Sequence, residues 1–395
     1  MLENIRSLIF LQSNLARLFL ADFLVRSFYQ VGKTPLLPLF AASIGAGEVI
    51  IGFIVSVSTM TGMLLKPLFG ILSDRWGRKI WLLVATLIFS GIPFLYQFIT
   101  TDQELILVRL FHGISTAIFG PVSLAYVASL DSNNVGSRIA FFGISRLLAS
   151  LIAPLIAGIL LTFLDFEVVF MLIGFCSLVA MAPIFLLSDN HIENSREKVS
   201  IIKYFYTSFA SSIKIASIWL AGLLELMVYL TIYAVKAFLP IFIISQEGGT
   251  IFQAGLFFFT QEFIHIIFRV VGGKLADRNH TLLAIVIGMF LIALGLSLLN
   301  ILPQNLLLLS AGLFGAGQGF IFPSSVAMLS RKANKIHIGA AMGLYGALRN
   351  LGKVIGPIIA GLLLSIYSYA IAFYIFALMI VLILVPIFII WIKER

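Results

Sequence analysis

The sequence is poor in charge and almost free of cysteine. Only 11% of its 395 residues are charged, whereas 61% are hydrophobic, and the mean hydropathy is +1.10. A soluble fold cannot hide so much apolar surface, so lipid must be the solvent for most of the chain. Cys176 is the single cysteine, which excludes a disulfide framework and a cysteine-based metal site.

Motifs of enzymes and of ATP-driven proteins are also missing. The chain has no nucleotide-binding loop, no HExxH and no Ser/His/Asp constellation placed at a membrane face. We therefore expect neither an enzyme nor a bound cofactor or metal ion. These absences disfavour a membrane enzyme or a transporter-derived sensor. Without an ATP-binding motif, any active transport must draw its energy from an ion gradient or a substrate gradient.

Apolar runs are the dominant feature that is present. A helix needs about 20 apolar residues to cross the hydrocarbon layer, and these runs lack the short alternation of outer-membrane strands. The sequence therefore predicts an all-α integral membrane protein. Its twelve predicted spans are 16–41, 48–69, 80–100, 104–130, 137–163, 167–188, 213–244, 250–272, 281–301, 304–330, 337–364 and 370–392.

Basic residues outside the spans all fall on one side. With the first loop placed outside, 17 lysines and arginines lie in inner loops, in the tails or at the inner ends of spans, and none lies in outer loops. This bias predicts that both termini are cytoplasmic, with the amino-terminal residues as a lead-in that is not removed. The net charge of +9 thus reflects topology, and we expect no nucleic-acid partner. We expect a monomer in the cytoplasmic (inner) membrane, with the lipid bilayer around it.

The two halves of the chain repeat each other. A shift of 203 positions lays IAFFGISRLLASLIAPLIAGILL (139–161) on MGLYGALRNLGKVIGPIIAGLLL (342–364). The same shift pairs Asp22 with Glu225 and Lys33 with Lys236. Six spans in each half make this a parallel repeat. We predict an amino-terminal bundle over 1–188, a cytoplasmic linker over 189–212 and a carboxy-terminal bundle over 213–395.

A charged stretch, GILSDRWGRK (70–79), separates the second and third spans, and GKLADR (273–278) repeats its beginning. The twelve predicted spans and this loop motif together resemble the major facilitator superfamily. The branch they resemble most is that of the twelve-helix drug or metabolite:proton antiporters. The resemblance implies two pseudo-symmetric six-helix bundles and a cytoplasmic gate between them. The implied gating residues are Gly70, Asp74, Arg75, Gly77, Arg78, Asp131, Asp277 and Arg278.

The residue types in this loop suit a gate. Gly70 would permit close helix approach, and Gly77 a tight turn with positive φ. Asp74 can meet the amino end of a helix, and Asp131 is the expected partner of Arg78. Topology alone would require neither the glycines nor the aspartate.

Ionisable residues also lie inside the spans, where a charge costs about 2.5–3.5 kcal/mol at the membrane centre. Such groups normally face a partner or a cavity. Leaving out the first two residues of each span, nine are basic and three are acidic, Asp22, Glu225 and Glu262. Helical spacing places Asp22, Arg26 and Lys33 on one face, and it does the same for Glu262 and His265. The predicted substrate or ion-coupling residues are Asp22, Arg26, Lys33, Arg109, Glu225, Lys236, Glu262 and His265.

Arg109 and Gly113 in LVRLFHG match the superfamily's R-x-x-x-G pattern. In that superfamily the arginine is associated with proton-coupled antiport, so the resemblance implies such a role for Arg109. APLIAG (153–158) matches its helix-5 signature only in part, because Ala153 and Ala157 depart from it. Packing of small residues is the competing interpretation of that segment.

Two functions remain open. The leading prediction is a secondary transporter that exports a small organic molecule, a drug or a metabolite, in exchange for protons. The alternative is transport, in either direction, of an anionic metabolite such as an organic acid, a sugar acid or a metal-chelating compound. Glu262 has no acidic counterpart in the first half, where Thr59 takes its place. The sequence therefore ranks it slightly above Asp22 and Glu225 as the proton carrier.

Overall fold

The structure is a computed structural model that describes residues 2–130, 134–188, 216–245, 249–332 and 338–393. The predicted linker, 189–212, and Asp131 lie outside these ranges. Inside them every regular element is a helix. An all-α protein is therefore what the structure shows.

Fourteen α-helices make up the described chain, and two short 3-10 segments, Ile92–Phe98 and Gln304–Leu306, accompany them. In chain order they are α1 (Leu2–Lys33), α2 (Leu36–Ser43), α3 (Glu48–Trp76), α4 (Arg78–Gly91), α5 (Asp102–Ser129), α6 (Val135–Phe163), α7 (Phe166–Val179), α8 (Met181–Phe185), α9 (Ala216–Ser245), α10 (Ile251–Asp277), α11 (Thr281–Leu298), α12 (Leu307–Lys332), α13 (Ile338–Leu364) and α14 (Tyr369–Lys393).

Eleven helical segments of the described chain are long and apolar enough to cross a membrane. They correspond to the second to twelfth predicted spans. α1 is long enough for the first span, but it carries Arg17, Asp22, Arg26 and Lys33.

Two helix ends show why the structure departs from the predicted runs. The first run, 16–41, is interrupted at Thr34–Pro35, because proline cannot donate a backbone hydrogen bond and restricts the residue before it. The second run, 48–69, continues as helix to Trp76, so most of the charged stretch is helical and only Gly77 breaks it. The hydrophobic pattern marks where apolar residues end, whereas a helix continues until a backbone breaker stops it.

The chain divides into two compact units, residues 1–193 with 250–255, and residues 194–249 with 256–395. The predicted domain boundaries remain a prediction. Three helix pairs recur from one unit to the other. α1 packs along α6 as α9 packs along α13, and α4 packs on α5 and α7 as α11 packs on α12 and α14. The repeat seen in the sequence is therefore also a repeat of helix packing.

Small residues let one recurring helix pair approach closely. In the second unit, a Cβ added at Gly352 or Gly356 of α13 would strike the backbone of α9 at Leu226 or Leu230. These glycines form a G-x-x-x-G pattern, which brings helix backbones together in membranes. The repeat-related positions of α6 hold Ala149 and Ala153, both fully buried. This close approach sets the register of the side chains around it.

Candidate functional site

In the first unit, Asp22 of α1 is fully buried and lies among cations and a hydroxyl. Arg26 Nε donates to its Oδ1 at 2.7 Å, and Arg146 Nε of α6 lies 3.9 Å from its Oδ2. Ser145 donates its hydroxyl to the same Oδ2. Arg26 and Ser145 thus bond to the two carboxylate oxygens, and Arg146 adds a longer ion-pair contact.

Arg109 of α5 is 1% exposed, and its bonding partners are neutral. Its guanidinium donates to Ser58 Oγ of α3 and lies 3.4 Å from His112 Nδ1, while its Nε has no partner among the described residues. Gly113 makes this possible, since a Cβ there would overlap Thr61 and the Ser58 carbonyl. The second residue of the R-x-x-x-G pattern therefore brings α5 against α3, which places Arg109 at Ser58.

The repeat-related lysines make the same contact in both units with different acceptors. Lys33 Nζ lies 3.3 Å from Thr59 Oγ1, and Lys236 Nζ lies 3.2 Å from Glu262 Oε1. Thr59 and Glu262 occupy the same repeat position. The second unit has thus replaced a neutral hydroxyl by a carboxylate, which turns a hydrogen bond into an ion pair.

Glu262 has a second partner on its own helix. His265 Nδ1 lies 3.2 Å from Glu262 Oε2, so both oxygens of this largely buried carboxylate have nitrogen partners. The predicted grouping of Lys236, Glu262 and His265 is therefore present as a connected set. An acid held between a lysine and a histidine is stabilised in its charged form.

Glu225 of α9, the repeat partner of Asp22, has different surroundings. It is 1% exposed, Ser325 Oγ lies 2.7 Å from its Oε1, and Tyr345 OH lies 2.9 Å from that serine oxygen. Within the described ranges, its Oε2 has no hydrogen-bond partner, while the cations Arg349 and Lys353 act on the carboxyl group electrostatically. Burial disfavours the charged form of this carboxyl group, whereas the two cations and the Ser325 hydroxyl favour it.

The junction between α3 and α4 shows a local ion pair. Arg78 Nη2 lies 2.9 Å from Asp74 Oδ1, and its Nη1 donates to the Ala125 carbonyl at 2.9 Å. Gly77 has φ +88, as its predicted turn requires. At Gly70 an added Cβ would meet no atom of the described first unit within 4 Å, and the close helix approach expected there stays a prediction.

The second copy of this loop turns differently. α10 ends at Asp277, Arg278 follows in the turn, and Asn279 takes positive φ, which asparagine tolerates better than most residues. Thr281 stands where Arg78 stands in the first copy, so the Asp74–Arg78 pair has no counterpart. Arg75, Asp277 and Arg278 are exposed.

Several partners in these groups are not among the residues that the sequence predicted. Ser58, Ser145, Ser325 and Tyr345 carry the hydroxyls that bind Arg109, Asp22 and Glu225. Single hydroxyls within apolar runs are common and have no periodicity of their own. The G-x-x-x-G of α13 was the one local signal that could have been used.

Membrane-crossing helices that hold carboxylates, lysines and arginines in buried groups define the class of the protein, a membrane transport protein. The family model of the Major Facilitator Superfamily matches residues 19–305 and 221–395. The chain belongs to this superfamily and is a multi-pass membrane transporter, not an enzyme.

Similar proteins include transporters with described cargo. The multi-drug resistance efflux pump PmrA of Streptococcus pneumoniae is 26% identical over 350 residues, covering 86% of each chain. The staphyloferrin B transporter of Staphylococcus aureus is 27% identical over 192 residues, 47% of this chain and 46% of that protein. The crystal structure of the nucleoside transporter NupG covers 96% of this chain and 99% of its own, with a TM-score of 0.81 and 14% identity. This likeness shows the predicted fold.

Proposed function

We propose that the protein is a proton-coupled secondary active transporter that exports a small organic molecule by alternating access. The observation that carries this proposal is Glu225, a buried carboxyl group on a membrane-crossing helix whose bonding partners are neutral. Such a group can take up and release a proton as its surroundings change, and each step changes the charge of the site by one. The likeness to multi-drug efflux pumps supports export.

The geometry supports Glu225 over Glu262 as the proton carrier. Asp22 lies against Arg26 and Arg146, and Glu262 lies between Lys236 and His265. Protonation of either acid would leave cations without their counter-charge in a medium of low dielectric constant. Glu225 is bonded instead to the neutral hydroxyl of Ser325, a partner that carries no charge to be left uncompensated, while Arg349 and Lys353 act on it electrostatically. The sequence ranking, which placed Glu262 first, rested on asymmetry between the repeats and could not include these partners.

Other predicted residues keep supporting roles in this proposal. Arg26 and Lys33, with Arg109, give the first unit its positive charge, and Lys236 and His265 hold Glu262. Asp74 and Arg78 would stabilise one state of a cytoplasmic gate, with Asp277 and Arg278 as a weaker second copy. Both termini would be cytoplasmic, in the inner membrane, and the protein would act as a monomer.

A vesicle assay tests the proposal. In inverted membrane vesicles, an imposed pH gradient should drive wild-type protein to accumulate a fluorescent efflux dye such as ethidium. Glu225→Gln mimics the protonated acid, so gradient-driven accumulation should be lost while exchange of dye without a gradient persists. Glu262→Gln is the matched control, with slower but still pH-driven transport. Gradient-driven accumulation by Glu225→Gln at the wild-type rate would contradict the role of Glu225.

An anionic metabolite is the second candidate cargo, in either direction of transport. Arg109 and Arg349 have no described carboxylate within 4 Å, although both lie in membrane-crossing helices. The partial match to a staphyloferrin B transporter supports this candidate as well. A competition experiment distinguishes the two candidate cargoes. If the cargo is an anion, anionic compounds should displace one another from the purified protein, and cationic dyes should not.

A further inference from the structure

One face of the second unit combines tyrosine rings with cations. Tyr229 and Tyr233 of α9 follow each other by one helical turn, and their ring centroids are 6.2 Å apart. Arg349 and Lys353 lie one turn apart on α13. Arg349 Cζ is 5.6 Å from the Tyr229 ring centroid, and Lys353 Nζ is 4.9 Å from Tyr229 and 5.5 Å from Tyr233. We call these four residues the tyrosine–cation face.

The helix backbones hold this face rigidly. Gly352 and Gly356 flank Lys353 in sequence, and both press α13 against the backbone of α9. Arg349 is confined further, because Phe322 and Tyr345 lie 5.9 Å from its Cζ in addition to Tyr229. Since neither backbone can withdraw without opening a gap, the cations and the rings are preorganised.

Positive charge on this face is not balanced by an acid in contact with Arg349. No described carboxylate lies within 4 Å of Arg349, and its Nε has no hydrogen-bond partner among the described residues. Glu262 is taken by Lys236 and His265. Glu225, which is bonded to Ser325, acts electrostatically on both Arg349 and Lys353, so one carboxyl group faces two cations. A ring face attracts a cation but does not cancel its charge. A charged group in a membrane helix normally has a counter-charge or a ligand.

The first unit shows what a balanced version looks like. Arg146, the repeat partner of Arg349, lies 3.9 Å from Asp22. Ser150 stands where Lys353 stands. The second unit has therefore lost the acid contact and gained a lysine at the same place, which concentrates positive charge beside two tyrosines. Helix packing alone does not explain that change, because the first unit packs the same helix pair without it.

We propose that the tyrosine–cation face is a binding subsite for a carboxylate attached to an aromatic ring. Arg349 presents a planar fork of N–H donors that matches a carboxylate, and Lys353 adds a second charge one turn away. The ring of the ligand lies against Tyr229 and Tyr233, which are half-buried residues. The subsite rests on the proposed function only in that its ligand is the transported molecule.

Calorimetric titration of the purified full-length protein tests this subsite with three probes. 2-Naphthoate has both the ring and the negative charge. 2-Naphthylmethylammonium has the ring with the opposite charge, and cyclohexanecarboxylate has the charge without an aromatic ring. We expect 2-naphthoate to bind saturably and roughly ten-fold or more tightly than either comparison compound, the size of one charge-assisted contact.

Variants then locate the binding. Arg349→Gln should weaken 2-naphthoate binding by roughly ten-fold or more. Lys353→Ser, which installs the residue of the first unit, should weaken it less, and Tyr229→Phe should retain it whereas Tyr229→Leu should not. Lys274→Gln removes one exposed positive charge from the same unit and is the control that should leave binding unchanged. Thermal unfolding of each variant checks folding, and Arg349→Lys keeps the charge should Arg349→Gln not fold.

Three results would overturn the subsite: no binding of 2-naphthoate to folded wild-type protein, equal binding of the cationic probe, or unchanged binding by both Arg349 variants. These are separate from the proposed function. Proton-driven efflux of a cationic dye without naphthoate binding would refute the subsite alone. Naphthoate binding that depends on Arg349, without any effect of a pH gradient on transport, would refute the proton coupling alone.

Discussion

Gly352→Ala offers the sharpest test of how the second unit positions its charges. The new Cβ would overlap the Leu226 carbonyl group of α9, a backbone atom that cannot rotate away as a side chain can. Overpacking of this kind costs about 1–3 kcal/mol, against a helix-propensity gain of about 0.5–1 kcal/mol for alanine over glycine. Gly346 lies on the same helix, and a Cβ there would meet nothing within 4 Å. Gly346→Ala should therefore be neutral or stabilising.

Thermal unfolding in detergent, followed by circular dichroism, measures the contrast between the two variants. The melting temperature of Gly352→Ala should fall below that of the wild type, and that of Gly346→Ala should equal or exceed it. Because α13 must shift relative to α9, Gly352→Ala should also weaken 2-naphthoate binding. The reasoning is refuted if Gly352→Ala unfolds at or above the wild-type temperature, or if the two alanine variants are equally destabilised.

Three further predictions follow from the ion pairs. Asp74→Asn should leave folding largely intact, because the Asp74 side chain is 61% exposed and exposed ion pairs contribute about 0–1 kcal/mol. The same change should slow transport, because it weakens a contact of the gate. A normal transport rate would mean that the motif is a topology signal only. Asp22→Asn should lower the melting temperature more than Glu225→Gln, since it leaves Arg26 and Arg146, which are 27% and 35% exposed, without the acid that they contact. Equal effects would contradict the different roles assigned to the two acids. Glu262→Thr should fold better than Glu262→Leu, because the repeat-related Lys33 already lies 3.3 Å from a threonine hydroxyl. Purification yield and melting temperature measure the difference, and equal behaviour of the two variants would mean that Lys236 does not need an acceptor.

The sequence alone determined the class of fold, for a simple reason. Apolar runs of membrane-crossing length leave a chain in lipid little choice but helices, and a shift of 203 positions shows the repeat without any structure. The positive φ at Gly77 was equally local, because its turn depends on that residue's own backbone. The loop motif led to the correct superfamily for the same reason, since it is a contiguous pattern.

Which acid has which partner was decided only by the tertiary structure. Asp22 and Glu225 occupy the same repeat position, but α6 brings Ser145 and Arg146 to the first, and α12 brings Ser325 to the second. These partners come from helices 100 or more residues away in the chain, so no local pattern could identify them. The state of a buried carboxyl depends on the charges within a few ångströms, and helix packing sets those distances.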